Sequence, residues 1–201
     1  MVQGIGTITG AMTVLIAALM GRSTFKDWKV QKIEERRMNV AESVLTLGYR
    51  LTDALIEARS RITPEQERDA AAAQIDEASS PGGIRTGTER ENCITAQVII
   101  NRLAHFRSDW DEIWTLKPLV LAYFGAEVQE TIGVFWTLRA TLVMLAQQLG
   151  DEAGNDRDRA VQIRRELFAS DDDSIGMAMD EALKQLEANL LPKLRSAVGN
   201  S

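Results

Sequence analysis

The chain has 201 residues, of which 45% are hydrophobic and 26% charged, so its length fits one domain or one domain with an appendage. Its formal net charge is −6 and its pI is about 5.0. This acidic balance argues against a general nucleic-acid binder, which needs a basic surface to displace counterions from phosphates. The single cysteine excludes an intramolecular disulfide framework, and the single histidine limits histidine-based catalysis and metal binding.

Charge is distributed unevenly along the chain. Residues 1–21 carry no charged side chain, residues 22–62 contain nine Lys/Arg against six Asp/Glu, and residues 63–201 contain 14 Lys/Arg against 23 Asp/Glu. An uncharged, then basic, then acidic order is typical of a membrane anchor, a juxtamembrane segment and a soluble domain.

The uncharged stretch has the length of a transmembrane helix. As a helix it would extend about 30 Å, at about 1.5 Å per residue, which matches the hydrocarbon thickness of a bilayer. Four glycines, three threonines and Gln3 oppose insertion, so the hydrophobicity is marginal. We predict a membrane anchor over residues 1–21, and the apolar side chains that favour its insertion are Ile5, Ile8, Val14, Leu15, Ile16 and Leu19.

The residues that follow the stretch are basic and aromatic. No Lys or Arg precedes the stretch, so the positive-inside rule places the N-terminus outside and the C-terminal domain in the cytoplasm. Aromatic rings interleaved with lysines are expected at headgroup level, and the positive charge attracts anionic lipids, so membrane lipid is a predicted partner. This interfacial flank consists of Arg22, Phe25, Lys26, Trp28 and Lys29.

Two other interpretations of the stretch compete with the anchor. A cleaved signal peptide would have a positive N-terminal region and small residues before the cleavage site, whereas Leu19 and Met20 occupy those positions here. A soluble bundle that buries residues 4–21 remains an alternative, because marginally apolar helices without charges also occur in protein cores.

Two glycines within the stretch form a possible helix-pairing face. Gly6 and Gly10 are a G-x-x-x-G pair, and small residues let two helix backbones approach closely in lipid, where packing drives association. Glycine is common enough here for chance to produce the same spacing. The pair predicts a weak homo-oligomer that associates within the membrane.

Residues 22–62 are predicted to form one basic juxtamembrane amphipathic helix. No proline interrupts them, and Gly48 is their only glycine. Their apolar residues recur mostly at three- and four-residue steps, which is the pattern of one buried helical face. These residues are Ile33, Val40, Val44, Leu47, Leu51, Leu55, Ala58 and Ile62.

Residues 63–88 are predicted to form an Ala-rich helix followed by a flexible loop. Thr63 and Pro64 are a helix-start signal, and Ile75 is the only large apolar residue of the helix. Because such a helix buries little apolar surface, we expect it to face solvent or to dock loosely.

Residues 89–201 are predicted to form a helical bundle that packs with residues 33–62. A break or kink is expected near Leu116 because Pro118 follows it. Further helices are expected over residues 126–149 and 157–168, and the acidic run 171–173 suits the start of the last helix. The apolar residues at helical spacing in the first of these helices are Val128, Ile132, Phe135, Leu138, Leu142 and Leu145.

No stretch shows the sustained period-two alternation of a strand. Long helices joined by short turns favour antiparallel neighbours. The predicted fold is therefore all-α, with an N-terminal transmembrane helix that continues into an antiparallel helical bundle.

The sequence contains no recognisable catalytic, cofactor or metal site. His105 has no second histidine, Cys93 has no histidine nearby in sequence, and the acidic run 171–173 lacks the glycine and distal glutamate of a calcium loop. The two glycine-rich phosphate-binding motifs, G-x-x-x-x-G-K-S/T and G-x-G-x-x-G, are both absent from the sequence. The tryptophans at helical spacing are interpreted as core or interface residues: Trp110, Trp114 and Trp136.

Several short motifs accompany the N-terminal span and the basic helix. They are TDALIEARS at residues 52–60, LKP at residues 116–118 and FGAE at residues 124–127. Together they resemble a family of uncharacterised bacterial single-pass membrane proteins over most of the chain, although residues 70–87 depart from the pattern. The resemblance implies a cytoplasmic helical domain at the bacterial inner membrane and no assigned activity.

The leading hypothesis is a non-enzymatic, membrane-anchored module that presents its bundle to an unknown protein partner or to a second copy, without a cofactor or nucleic acid. The alternative is a helical-bundle enzyme or ligand-binding domain whose site is assembled from scattered polar residues. A pocket with converging buried polar groups whose titration is perturbed would favour the alternative, and a solid aliphatic core would favour the module.

Overall fold

The computed structural model describes residues 3–78, 87–152, 157–169 and 173–198, and within them the side chains of all but residues 3–24, 27, 152 and 196–198. These residues form helices and contain no strand, which confirms the predicted all-α fold. The helices are α1 (Gln3–Ala58), α2 (Glu65–Ala78), α3 (Gly87–His105), α4 (Arg107–Phe124), α5 (Ala126–Glu152), α6 (Arg157–Leu167) and α7 (Ser174–Val198). The chain divides into two compact units, Met1–Val40 and Ala41–Ser201.

The first unit contains α1 up to Val40. The described side chains from Phe25 to Arg36 are all exposed. Ile33, which was predicted to begin the buried face of the helix, is 46% exposed, so the prediction is wrong at this position. The physical reason lies along the helix, where three of the four neighbours of Ile33 on its own face are basic and only one is apolar. The basic neighbours are Lys29, Arg36 and Arg37, and the apolar one is Val30.

The second unit begins with the rest of α1, one face of which is buried. Val44, Leu51, Leu55 and Ala58 are fully buried at the three- and four-residue steps that the sequence predicts. The face ends with the helix, because Ile62, the last residue of the predicted stripe, is 82% exposed.

Gly48 lies where α1 meets α7. A Cβ atom at this position would lie 3.0 Å from Cδ1 of Leu186, which is closer than side chains normally pack. The glycine therefore permits a close approach of α1 and α7, which outweighs the weak helix propensity of glycine. Nearby, the hydroxyl of Tyr49 donates a hydrogen bond of 2.6 Å to Glu187 of α7.

The centre of the bundle is α5, which packs against α3, α4, α6 and α7. Its apolar positions are buried as predicted: Val128, Ile132, Phe135, Leu138, Leu142 and Leu145. Among the described residues, Ala126–Asp151 is also the one helix long and apolar enough to cross a membrane, with a mean hydropathy of 1.2 in its most apolar window. Its burial beneath four helices is the pattern of a core helix.

The Ala-rich helix α2 docks on α3 more closely than its composition predicts. Ala71 is fully buried against Ile94 and Val98, and Ala72 and Ile75 pack against the same cluster. The sequence predicted a solvent-facing or loosely docked helix and so underestimated the packing of α2 on α3. Small side chains allow close helix packing without large apolar residues. Ion pairs join the two helices as well: Arg68 with Glu91, Arg90 with Asp76 and Glu67 with Arg102.

The boundaries of α4 differ from the sequence prediction. The break falls at Phe106, between α3 and α4, and α4 continues through Pro118 to Phe124, so a break near Leu116 does not occur. Ile113 and Val120, on either side of the proline, are both fully buried, and their packing offsets the lost backbone hydrogen bond. Gly125 ends α4 with φ 88° and ψ −177°, a conformation that favours glycine.

The last helix begins with a side-chain cap, as the acidic run predicts. Oδ1 of Asp173 accepts hydrogen bonds from the amides of Ile175, at 3.1 Å, and Gly176, at 3.0 Å. Oδ2 of the same carboxylate is 2.6 Å from Nη1 of Arg59, at the end of α1. A Cβ atom on Gly176 would lie 2.6 Å from this Oδ2, so the cap and the ion pair both require a glycine there.

We therefore expect Gly176→Ala to lower the free energy of unfolding by about 1–2 kcal/mol, because it displaces a carboxylate that is fixed from two sides. The matched control is Gly133→Ala on α5, where a Cβ atom meets nothing within 4 Å. The control should raise the stability by about 0.5–1 kcal/mol through helix propensity alone. Urea unfolding of the full chain in non-ionic detergent measures both, and a stabilised Gly176→Ala variant would contradict the tight cap.

Candidate functional site

The predicted anchor can be followed only in its backbone. That backbone is helical from Gln3, as part of α1. The side chains of residues 3–24 lie outside the described residues. What the sequence predicts for the apolar anchor residues therefore stays a prediction. The same holds for the pairing glycines Gly6 and Gly10 and for Arg22.

The rest of the predicted interfacial flank is exposed. Phe25 is 65% exposed and Trp28 is 54% exposed, and their ring centroids are 5.8 Å apart. Lys26 and Lys29 are exposed between and beside them. Large apolar and basic side chains are thus interleaved on a helical segment whose described residues are not buried.

The residues considered as possible sites lie in ordinary packing environments. Cys93 is buried and its thiol donates a hydrogen bond to the carbonyl of Gly150. The exposed His105 ring contacts Phe106 edge-on, with centroids 5.3 Å apart. Trp110 is buried, whereas Trp114 is 56% exposed. Among the described residues, no group of three or more His, Cys, Asp or Glu side chains lies close enough to hold a metal ion.

A large cavity in the structure was not predicted from the sequence. It has a volume of about 1380 Å³ and lies between the α1–α2 connection and helices α2, α3 and α6. Among the described residues of its wall there are five arginines and one glutamate, in a chain whose net charge is −6. The described residues that line it are Arg61, Thr63, Arg68, Thr88, Glu91, Asn92, Thr95, Arg157, Ala160, Val161, Arg164, Arg165 and Phe168.

Helix α6 supplies three of these arginines from one face. Arg157, Arg164 and Arg165 are spaced at i, i+7 and i+8, which places them on the same side of a helix. A neighbouring side of the helix packs against the bundle, where Ile163 and Leu167 are buried. This spacing is the signal in the sequence that could have pointed to the cavity.

Few acidic groups neutralise the arginines of the wall. Arg68 pairs with Glu91, and the guanidinium of Arg61 lies 6.0 Å from the ring centroid of Phe168. Arg157 and Arg165 are exposed and form no ion pair within the part of the chain that the structure describes. The wall therefore carries a concentrated positive charge.

Asn92 is the most buried polar residue of the wall, with 1% of its surface exposed. Nε and Nη2 of Arg164 donate hydrogen bonds to its Oδ1, at 3.1 and 2.5 Å. Because arginine can only donate, the atom facing it must be the amide oxygen, so the orientation of the amide is fixed. Nδ2 of Asn92 is left as a buried donor without a partner in the described structure.

A buried arginine of α3 holds the connection that forms one side of the cavity. Arg102 is 6% exposed and donates to the carbonyls of Glu57, Ser60 and Ile62, at 3.1, 2.9 and 2.8 Å. It also forms an ion pair of 2.7 Å with Glu67. The α1–α2 connection, which carries Arg61 and Thr63, is thereby fixed against α3.

A second buried arginine holds the same connection from another side. Arg59 is 4% exposed, and its Nε donates to the carbonyl of Leu167, the residue before Phe168 of the cavity wall. Its ion pair with Asp173 reaches the start of α7. Burial acts to raise the pKa of the Asp173 carboxyl, but the hydrogen bond from Arg59, the amide hydrogen bonds and the positive charge of Arg59 together outweigh it. The pKa of Asp173 therefore lies below its ordinary value of 3.8.

Comparison of the chain with family models, with curated proteins and with solved structures finds no match.

The lowered pKa of Asp173 makes the stability depend on pH in the acid range. A carboxylate with a lowered folded-state pKa contributes fully above its unfolded pKa, about 3.9, and its contribution disappears as the pH falls through the folded-state value. We expect the stability difference between wild type and Asp173→Asn to be largest near neutral pH and to shrink below about pH 4. Urea unfolding of both proteins from about pH 6 to about pH 3 measures it, and parallel curves would contradict the charged pair.

Proposed function

We propose that the protein is a single-pass membrane protein of the bacterial inner membrane whose N-terminal helix anchors an antiparallel helical bundle in the cytoplasm. In this proposal the bundle is a non-enzymatic interaction or scaffold module. The observation that carries the proposal is the exposed segment of α1 directly after the uncharged stretch. Phe25, Trp28, Val30 and Ile33 are between 46% and 65% exposed there, among three lysines.

The distribution of these residues around the helix favours crossing the interface over lying on it. At about 100° per residue, Trp28 and Val30 project about 160° apart, on nearly opposite sides of the helix. A helix that lies on a membrane needs a single apolar face, whereas one that crosses the headgroup region meets it on all sides. Mixed aromatic and basic side chains around the whole helix suit the second case.

The apolar helix α5 is a weaker candidate for the transmembrane helix. The apolar residues of α5 are buried among α3, α4, α6 and α7, so inserting α5 in lipid would require unfolding the bundle. The stretch over residues 1–21 is uncharged and ends at a basic flank, which supports its role as the anchor.

A protein partner is supported by an exposed apolar face on α4. Trp114 is 56% exposed and Leu121 is 47% exposed, and their spacing of seven residues places them on one side of the helix. The Nζ atom of Lys117 lies 4.7 Å from the ring centroid of Trp114. Aromatic residues such as tryptophan are enriched at protein interfaces.

We expect the full chain to remain in the membrane pellet after carbonate washing and to be released by detergent. Leu15→Arg should move it to the soluble fraction, because a charge near the helix centre costs about 2.5–3.5 kcal/mol of insertion and the stretch is only marginally apolar. Leu121→Arg, at an exposed position outside the anchor, is the matched control and should stay in the pellet.

The orientation has its own readout in the same experiment. A C-terminal fluorescent protein that folds only in the cytoplasm should be bright, and a C-terminal alkaline phosphatase should be inactive. Wild-type protein that is extracted by carbonate alone would overturn the anchor and favour the soluble bundle that buries residues 4–21.

A further inference from the structure

We propose that the arginine-lined cavity is a binding site for a small polyphosphate, meaning a ligand that carries two or more phosphate groups. The site lies between the α1–α2 connection and helices α2, α3 and α6, and it is distinct from the basic flank of α1. The proposal concerns a ligand site and holds whatever the orientation of the protein in a membrane.

Charge is the first argument. The described residues of the wall include five arginines and one glutamate, although the chain as a whole is acidic. Repulsion among guanidinium groups that share one space is unfavourable, and exposed arginines usually relieve it by pairing with carboxylates. Arg157 and Arg165 have no such partner among the described residues, so an anion that enters the cavity supplies the missing charge.

The chemistry of the wall is the second argument. Arginine presents a planar fork of donors and no acceptor, and this geometry matches phosphate oxygens. Nδ2 of Asn92 is a buried donor without a partner in the described structure, beside the guanidinium of Arg164. This donor has almost no accessible surface, so Asn92 contributes to the wall through its Oδ1, which fixes the guanidinium of Arg164. The hydroxyls of Thr63, Thr88 and Thr95 add further donors at the rim.

The size and rigidity of the cavity favour more than one phosphate group. Its volume of about 1380 Å³ exceeds that of a single inorganic ion, and its arginines come from α2, from α6 and from the α1–α2 connection. Arg102 and Arg59 hold that connection in place, so the wall is formed before a ligand arrives. A preformed site loses less entropy on binding.

The test is isothermal titration of the full chain in non-ionic detergent with inorganic tripolyphosphate. Orthophosphate, which has a single phosphate, tests the number of anionic groups. Citrate, which has carboxylates, tests their kind. We expect saturable binding of tripolyphosphate that weakens as salt is added, weaker binding of orthophosphate, and weaker binding of citrate.

The variant that tests the site is the double substitution Arg157→Gln and Arg165→Gln. Both side chains are exposed, so the core is untouched, and thermal melting followed by circular dichroism verifies the fold. Binding should weaken by about 100-fold, at about tenfold for each lost charge-assisted contact. Arg107→Gln with Arg195→Gln removes the same charge outside the cavity and should change the affinity by less than about threefold.

A second arm distinguishes a soluble polyphosphate from a lipid headgroup with the same chemistry. Micelles that contain phosphatidic acid are compared with micelles that contain phosphatidylcholine. Binding to phosphatidic acid alone, abolished by the cavity variant and retained by the control, would overturn the polyphosphate and assign the site to the single phosphate of a lipid. Absence of saturable binding in both arms, equal weakening by the cavity and control variants, or citrate binding at least as tight as tripolyphosphate would overturn the proposal.

Discussion

The end of α1 depends on one buried guanidinium group. Helix termini leave carbonyls without intrahelical partners, and a buried carbonyl left unpaired costs about 1–3 kcal/mol. Arg102 satisfies the carbonyls of Glu57, Ser60 and Ile62, and it neutralises its own charge with Glu67 at the start of α2. One side chain of α3 thus fixes the last turn of α1, the connection that follows it and the first turn of α2.

The cavity lies beside this clamp and depends on it. Arg61 and Thr63 of the cavity wall alternate along the chain with Ser60 and Ile62, whose carbonyls Arg102 holds. Elsewhere in the bundle, arginines meet carboxylates, as Arg50 meets the buried Asp109 at 2.8 Å. The buried arginines fix the backbone, and the exposed arginines that they position remain available to an anion. This division explains how an acidic protein holds a strongly basic site.

Periodicity was sufficient to predict the helical class, the buried face of α1 and the core face of α5, because each is a property of one segment. Periodicity failed where tertiary packing determines the structure. Pro118 does not break α4, since the buried residues around it stabilise the helix, and α2 docks through Ala71, a residue that a search for large apolar side chains overlooks. The cavity joins residues that are up to 107 positions apart in sequence, Arg61 and Phe168, so no local pattern reveals it whole. Only the spacing that places Arg157, Arg164 and Arg165 on one face of α6 can be read from the sequence.

The most direct test of this account is the stability of Arg102→Met, measured by urea unfolding of the full chain in non-ionic detergent. Methionine keeps an apolar stem of similar length and removes every donor of the guanidinium group. We expect a loss of about 2–4 kcal/mol in the free energy of unfolding, because three carbonyls and Glu67 lose their shared partner. A change within about 0.5 kcal/mol of wild type, the range of ordinary surface substitutions, would contradict it.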